Sequence, residues 1–164
     1  MRRLILMRHA KSSWADPGQD DHDRPLNKRG KRSAKALGDW LRSRTIVVDE
    51  ALVSSSVRTV ETLQKLRIDC DRQVLDRLYH AAPDDMLKVL RKRASGQTVL
   101  MLGHNPAIAA LAHDLMADRP DHDRFEDYPT GATLVARFDI SAWKDLKPGT
   151  GQFEAFVVPR DLTE

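Results

Sequence analysis

The sequence has little of what would set it apart from ordinary soluble proteins. It holds a single cysteine, Cys70. No internal disulfide is therefore available, which fits a reducing compartment. Aromatic residues make up 5% of the chain, and its charges of both signs are interspersed. A nucleic-acid binder is expected to show a basic stripe with interleaved aromatics; a net charge of +3 with mixed signs excludes that class. No apolar run approaches the roughly 18 residues of a membrane span. The N-terminus, MRRLILMRHA, has two arginines before an apolar stretch. That stretch stops at Met7, short of the ~7–15 residues of a secretory core. The expectation is a soluble, cytoplasmic protein with neither membrane nor nucleic acid as a partner. No apolar face stands out for self-association, so a monomer is expected.

What is present reads as one domain over residues 1–164. A chain of 164 residues buries about 70% of its unfolded surface, enough for a core without staples. Arg3–Met7 and the segment TVLML (98–102) are short apolar runs of buried strands. Ala51–Val53, Gln73–Leu75, Thr133–Phe138 and Phe153–Val158 read as four more. Asn27 is placed to cap a helix whose apolar positions are Ala34, Leu37, Trp40 and Leu41. Ser54–Ser56 offer caps for a second, with Val60 and Leu63 inward. Pro83 suits the first turn of a third, with Met86, Leu87 and Leu90 inward. Pro106 opens a fourth, carrying Ile108, Leu111 and Leu115. Trp14–Leu26 reads as a polar loop. Strands alternating with helices indicate an α/β fold with a mostly parallel sheet. The last two strands are close enough in sequence for an antiparallel edge.

Such sheets bind ligands at the carboxyl ends of their strands. Three polar clusters fall there: Arg8-His9, then Ser54-Ser55-Ser56-Val57-Arg58, then Gly103-His104-Asn105-Pro106. Arg58, in the first turn of a helix, opposes the helix dipole, a cost that suggests an anion ligand. Two guanidinium groups match phosphate oxygens and stay charged. A neutral imidazole is a competent nucleophile toward phosphorus, and phosphoryl transfer rests mainly on positioning and charge neutralisation. Lys11 is a solvated charge or a substrate attractor. Ser12 and Ser55 donate to phosphate or bond locally. Arg24 pairs with Asp23 or lines the rim. The clusters Asp20-Asp21-His22-Asp23 and Asp121-His122-Asp123 lack an established metal-ligand spacing.

The segment LMRHAKSSW resembles the arginine–histidine–glycine signature of the histidine phosphatase superfamily, also called phosphoglycerate mutase-like. SSSVRTVET resembles its second motif and LGHNP its third. The resemblance implies a three-layer α/β/α sandwich and chemistry without metal or other cofactor. It implies His9 as the nucleophile and Arg8, Arg58 and His104 as the phosphate pocket; Ser12 and Lys11, from their place just after the nucleophile, are expected as further substrate contacts. DRPLNKRG and LYHAAP resemble the SixA-type branch, which removes phosphate from phosphohistidine on a protein. The implied partner is a phosphorylated protein. A small phosphate ester such as a sugar phosphate is the alternative substrate, and a non-catalytic phosphohistidine-binding module the alternative function. Two departures stand out. Ala10 occupies the glycine position of the signature, so its backbone is expected in an ordinary region. No glutamate stands where the family has its acid, leaving Asp76, His80 and Asp84 as candidates, His80 foremost. An alkyl phosphate needs its leaving oxygen protonated, whereas phosphohistidine expels a more easily protonated imidazole.

Overall fold

The computed structural model describes residues 1–163. In chain order its elements are β1 (Arg2–Arg8), α1 (Lys28–Ser43), β2 (Glu50–Ser54), α2 (Val57–Leu66), β3 (Asp71–Leu75) and α3 (Pro83–Arg93). There follow β4 (Thr98–Gly103), α4 (Ala107–Leu115), β5 (Thr133–Phe138), β6 (Gln152–Val157) and α5 (Pro159–Thr163). The six strands form one sheet in the order β3-β2-β4-β1-β5-β6. The first four strands are parallel to one another. β5 runs antiparallel to both β1 and β6.

The apolar runs follow from burial on both faces of the sheet. Successive strand side chains point to opposite sides. In β1, Leu4 and Leu6 join one core cluster while Ile5 and Met7 join the other. In β4, Val99 and Met101 divide from Leu100 and Leu102 in the same way. Helices α3 and α4 supply Leu87, Leu90, Ile108 and Leu111 to the first cluster. Helices α1 and α2 supply Leu37, Leu41, Leu63 and Leu66 to the second. The result is the three-layer sandwich that the resemblance implies.

Local chemistry starts the helices where the sequence indicates. The Asn27 side chain accepts from the Gly30 N–H at 2.8 Å. Ser56, of the three serines, precedes α2, and its hydroxyl accepts from the Thr59 N–H at 3.4 Å. Pro83 begins α3, and the Asp85 carboxylate accepts from the Ala82 N–H at 3.0 Å. Pro106 sits immediately before α4.

Several expectations need adjusting. β6 begins at Gln152 and ends at Val157 rather than running to Val158. On α2, Val60 is only half-buried; its inward face holds Arg58, Thr59 and Thr62 beside Leu63 and Leu66. That polar inward face is the part of α2 nearest the site. The loop 14–26 contains a 3₁₀ turn at Asp21–Asp23 and pairs Ser12 with Leu26. The short helix α5 has no counterpart in the sequence reading.

The register sets the site. Arg8, the last residue of β1, lies opposite Gly103, the last of β4. Val53 of β2 lies opposite Leu102. Three strands therefore end level, side by side, and the residues after them are forced together.

Candidate active site

Arg8, His9, Arg58 and His104 line one cavity of about 260 Å³, with Lys11, Ser12, Arg24 and Asn105 also in its wall. Three loops far apart in sequence thus meet as the motifs suggest. The His9 and His104 rings stand 5.3 Å apart between centroids.

The backbone around His9 is fixed from three sides. Its N–H donates to the Gly103 carbonyl at 3.1 Å. The next N–H, of Ala10, donates to Thr62 Oγ1 on α2 at 3.1 Å. Its own carbonyl accepts from the Gly131 N–H at 2.9 Å. Gly131 has φ +78°, a conformation that glycine adopts without cost. Ala10 is fully buried with an ordinary backbone, packed with Leu26 and Ala34. Close approach of α1 requires Gly30, where a Cβ would stand 2.0 Å from the Lys11 carbonyl oxygen.

The hydrogen bonds assign the tautomers. His9 Nδ1 lies 2.7 Å from the Ala10 carbonyl oxygen. A carbonyl only accepts, so Nδ1 carries the proton and Nε2 holds the lone pair. Burial holds the His9 pKa at about 3, assisted by the nearby charges of Arg8 and Arg58. His104 receives a long contact from Arg58 on Nδ1 at 3.4 Å and donates from Nε2 to Ser54 Oγ at 2.7 Å. Burial and Arg58 hold its pKa at about 4. Both rings are therefore neutral at pH 7.

Arg58 is buried on α2, and its fork is held by a residue whose role the sequence left open. Asp21, in the 3₁₀ turn, accepts from Arg58 NH1 on its backbone carbonyl at 2.7 Å and from NH2 on its carboxylate at 3.0 Å. The same carboxylate accepts from Tyr79 Oη at 2.6 Å and from Arg24 Nε at 3.2 Å. The Tyr79 and arginine donors keep Asp21 strongly acidic, well below the usual carboxylate range. Arg24 therefore pairs with Asp21 rather than Asp23. It also donates to Ser12 Oγ at 2.8 Å and lies against the Trp14 ring. That bond is the local role open to Ser12, which nonetheless stays in the cavity wall. Ser55 instead bonds to His22.

Arg8 donates to the Tyr128 carbonyl at 3.2 Å. Asn105 donates to the same carbonyl at 3.0 Å. The buried Tyr128 hydroxyl donates to the Leu6 carbonyl at 2.6 Å, which ties the loop 128–131 to β1. The Nε–H groups of both Arg8 and Arg58 are buried without a protein acceptor among the described residues. Two such donors beside two neutral imidazoles make a site fitted to a phosphate-like anion.

A second cavity of about 290 Å³ adjoins the first through Arg58, His104 and Asn105, and is lined by Tyr79, His80 and Met86. Of the three candidate acids, only His80 reaches it; Asp76 and Asp84 are exposed elsewhere. The described lining of both cavities carries imidazoles, guanidiniums and a phenol but no carboxylate. Among the described residues no group of three His, Cys, Asp or Glu is placed to hold a metal ion. Cys70 is far from this chemistry in the fold, and its thiol is raised mainly by burial, with its acidic neighbours secondary.

Comparison with known proteins gives the geometry a family. The model of the histidine phosphatase superfamily, branch 1, matches residues 4–82. A solved structure from Nakamurella multipartitia, assigned as a phosphohistidine phosphatase of the SixA type, is 31% identical. It aligns over 96% of each chain with a TM-score of 0.85. The chain belongs to the histidine phosphatase superfamily. It falls in the SixA-type branch, since a second SixA-type structure, from Agrobacterium tumefaciens, is 27% identical over 96% of this chain and 99% of the other, with a TM-score of 0.78. An uncharacterized protein of Mycobacterium tuberculosis is 38% identical over 94% of this chain and its own full length. In this histidine phosphatase the family model ends at residue 82, so the placing of His104 rests on the strand-end geometry and on the full-length structural likeness.

The neutral imidazoles carry a consequence for stability. In the unfolded chain each titrates near 6.5, while in the fold they hold to about 3 and about 4. Between those values the unfolded chain binds protons that the folded chain refuses. Stability therefore falls as pH drops below about 6.5. Denaturant melts at pH 7 and pH 5 should show a lower midpoint at pH 5, and His9→Ala should shrink the difference. Equal midpoints at the two pH values would contradict neutral, buried imidazoles.

Proposed function

We propose that this protein is a phosphatase that removes phosphate from phosphohistidine on a protein through a phospho-His9 intermediate. The observation that carries the reading is the state of His9: neutral, with Nδ1 committed to a carbonyl, set among Arg8, Arg58 and His104. In the first step the Nε2 lone pair attacks phosphorus in line with the leaving group, forming an Nε2–P bond as the substrate's N–P bond breaks. Arg8 and Arg58 neutralise the equatorial oxygens as charge spreads. A phosphoryl dianion beside His104 raises its pKa, so His104 gains a proton on Nδ1 and donates it as a hydrogen bond. The leaving imidazole takes a proton from water or from His80. In the second step water attacks phosphorus, the Nε2–P bond breaks, and inorganic phosphate leaves with neutral His9 restored.

The lining without a carboxylate supports the choice of substrate. Asp21, the acidic residue nearest the site chemistry, is held ionised by its donors and is a poor proton source. An oxygen ester finds no carboxylic acid in the described lining of this pocket, whereas an imidazole leaving group depends on a strong acid far less. Lys11 and Ser12 are further substrate contacts. No helix here is long and apolar enough to cross a membrane among the described residues, and we place the enzyme in the cytoplasm, acting as a monomer.

The test compares hydrolysis of a phosphohistidine peptide with sugar phosphates and p-nitrophenyl phosphate, without added metal. The peptide should be preferred by at least about tenfold in kcat/KM. Preference for an ester would overturn the substrate. No turnover of any of them would favour a binding module.

A further inference from the structure

A second basic cleft lies beside the site. It measures about 160 Å³ and is lined by Lys11, Arg29, Ser33, Arg124, Thr130 and Arg160. Lys11 and Thr130 also line the cavity that holds His9, so the two spaces adjoin along one rim. Among the described residues its wall holds four cationic side chains and no carboxylate.

The surrounding fold engages Arg124 and Arg160 but not the other two. Arg124 is paired with Asp127 at 2.8 Å. The side chains of Lys11 and Arg29 make no hydrogen bond or ion pair with any described residue. Arg29 also sits in the first turn of α1, which begins Lys28-Arg29-Gly30-Lys31-Arg32 and has no acidic residue there. A helix N-terminus favours negative charge. α3 of the same protein follows that preference, with Asp84 and Asp85 in its first turn and Arg91, Lys92 and Arg93 in its last. In α1, Lys31 pairs with Glu61 of α2 at 3.9 Å, whereas Arg29 opposes the helix dipole with no such partner among the described residues and is the one of these α1 cations that lines the cleft. Gly30, which lets α1 approach the Lys11 backbone, brings Arg29 there.

We infer that this cleft is a docking subsite for an acidic side chain of the protein substrate, flanking the phosphorylated residue. The inference rests on the proposed protein phosphatase activity and extends it to substrate choice. A carboxylate seated between Lys11 and Arg29 finds two cations that pair with no acid among the described residues. It is tied to the phosphoryl site through Lys11 and Thr130. A free phosphate ester does not span both spaces, so the cleft sorts proteins from small molecules and acidic surfaces from basic ones. Charge complementarity of this kind acts on encounter and specificity and is screened by salt.

The experiment uses two peptide series, one carrying phosphohistidine and one phosphoserine, each with glutamates or with lysines flanking the phosphorylated residue. Phosphoramidate serves as the small reference substrate. Wild-type protein should turn over the acidic peptide at least about tenfold better in kcat/KM than the basic one, with the advantage lost in high salt. Arg29→Glu should abolish or reverse that preference through KM and leave phosphoramidate hydrolysis unchanged. Arg29→Ala should lie between. Equal use of acidic and basic peptides, or an equal loss on phosphoramidate, would overturn the docking role. Which series is turned over reports separately on the phosphohistidine reading. Should neither be turned over, binding of the same peptides to His9→Ala protein reads the cleft directly, and lack of preference there would overturn it.

Discussion

Replacing His9 with alanine should abolish turnover, with kcat lowered by on the order of 10⁴-fold or more, as expected when a covalent nucleophile is lost. The size of the effect follows from how completely the site is built around one atom. The backbone of His9 is held by β4, by Thr62 of α2 and by Gly131. Its Nδ1 is spent on the Ala10 carbonyl. No other described nitrogen base in the cavity wall combines an available lone pair with neutrality at pH 7. Lys11 is a cation, and His104 already uses both ring nitrogens. The alanine variant should remain folded and still bind inorganic phosphate, because Arg8 and Arg58 remain. Rates within tenfold of wild type would mean that water attacks the substrate directly. The lowered pKa of His9, about 3, adds a second expectation. The wild-type kcat/KM should show no loss near pH 6.5 from protonation of the nucleophile.

The second large effect concerns Arg58 and the clamp that holds it. Arg58→Ala should lower kcat/KM by about 10²–10³-fold, the scale of losing one electrostatic stabiliser of a transition state. Arg58→Lys should recover little. Lysine is a point charge on a flexible stem and lacks the planar fork whose two nitrogens meet the backbone carbonyl and the carboxylate of Asp21 separately. Asp21→Asn probes the clamp itself. Two consequences compete: the carboxylate positions Arg58, but it also cancels some of the positive field that attracts substrate. The variant should therefore lower kcat by about tenfold while KM stays level or falls. A rise in KM with kcat unchanged would show Asp21 acting in substrate binding instead. Steady-state kinetics on phosphoramidate separates these outcomes.

Much of this site is legible from sequence because its parts sit at strand ends. Strands β1 and β4 announce themselves as unbroken apolar runs, and the polar residues just after them have nowhere to go but the carboxyl edge of the sheet. The capping residues Asn27 and Ser56 place Gly30 and Arg58 within a residue or two. Arg58 lies in the first turn of α2 as the sequence indicates, and Arg29 occupies the equivalent place in α1. What was not legible lies in segments without periodicity. Asp21 is one acid among four polar residues in a row, and only the folded loop shows which of them meets Arg58. Tyr128 lies in a stretch without periodicity, and only the fold shows that its buried hydroxyl and carbonyl support β1, Arg8 and Asn105. Thr62 could have been suspected. It recurs four residues after Arg58 on one helix face, and a polar residue on an inward face needs a partner. Val60 packs against the same core as Leu63 but stays half-buried, because the centre of that face is given to Arg58, Thr59 and Thr62.

The account stands or falls on whether the phosphoryl group is transferred once or twice. A substrate whose phosphorothioyl group is made chiral with oxygen isotopes, hydrolysed in labelled water, reads this directly. Two in-line displacements, first by His9 and then by water, predict net retention of configuration at phosphorus. Net inversion would mean a single displacement by water and would contradict the covalent role of His9.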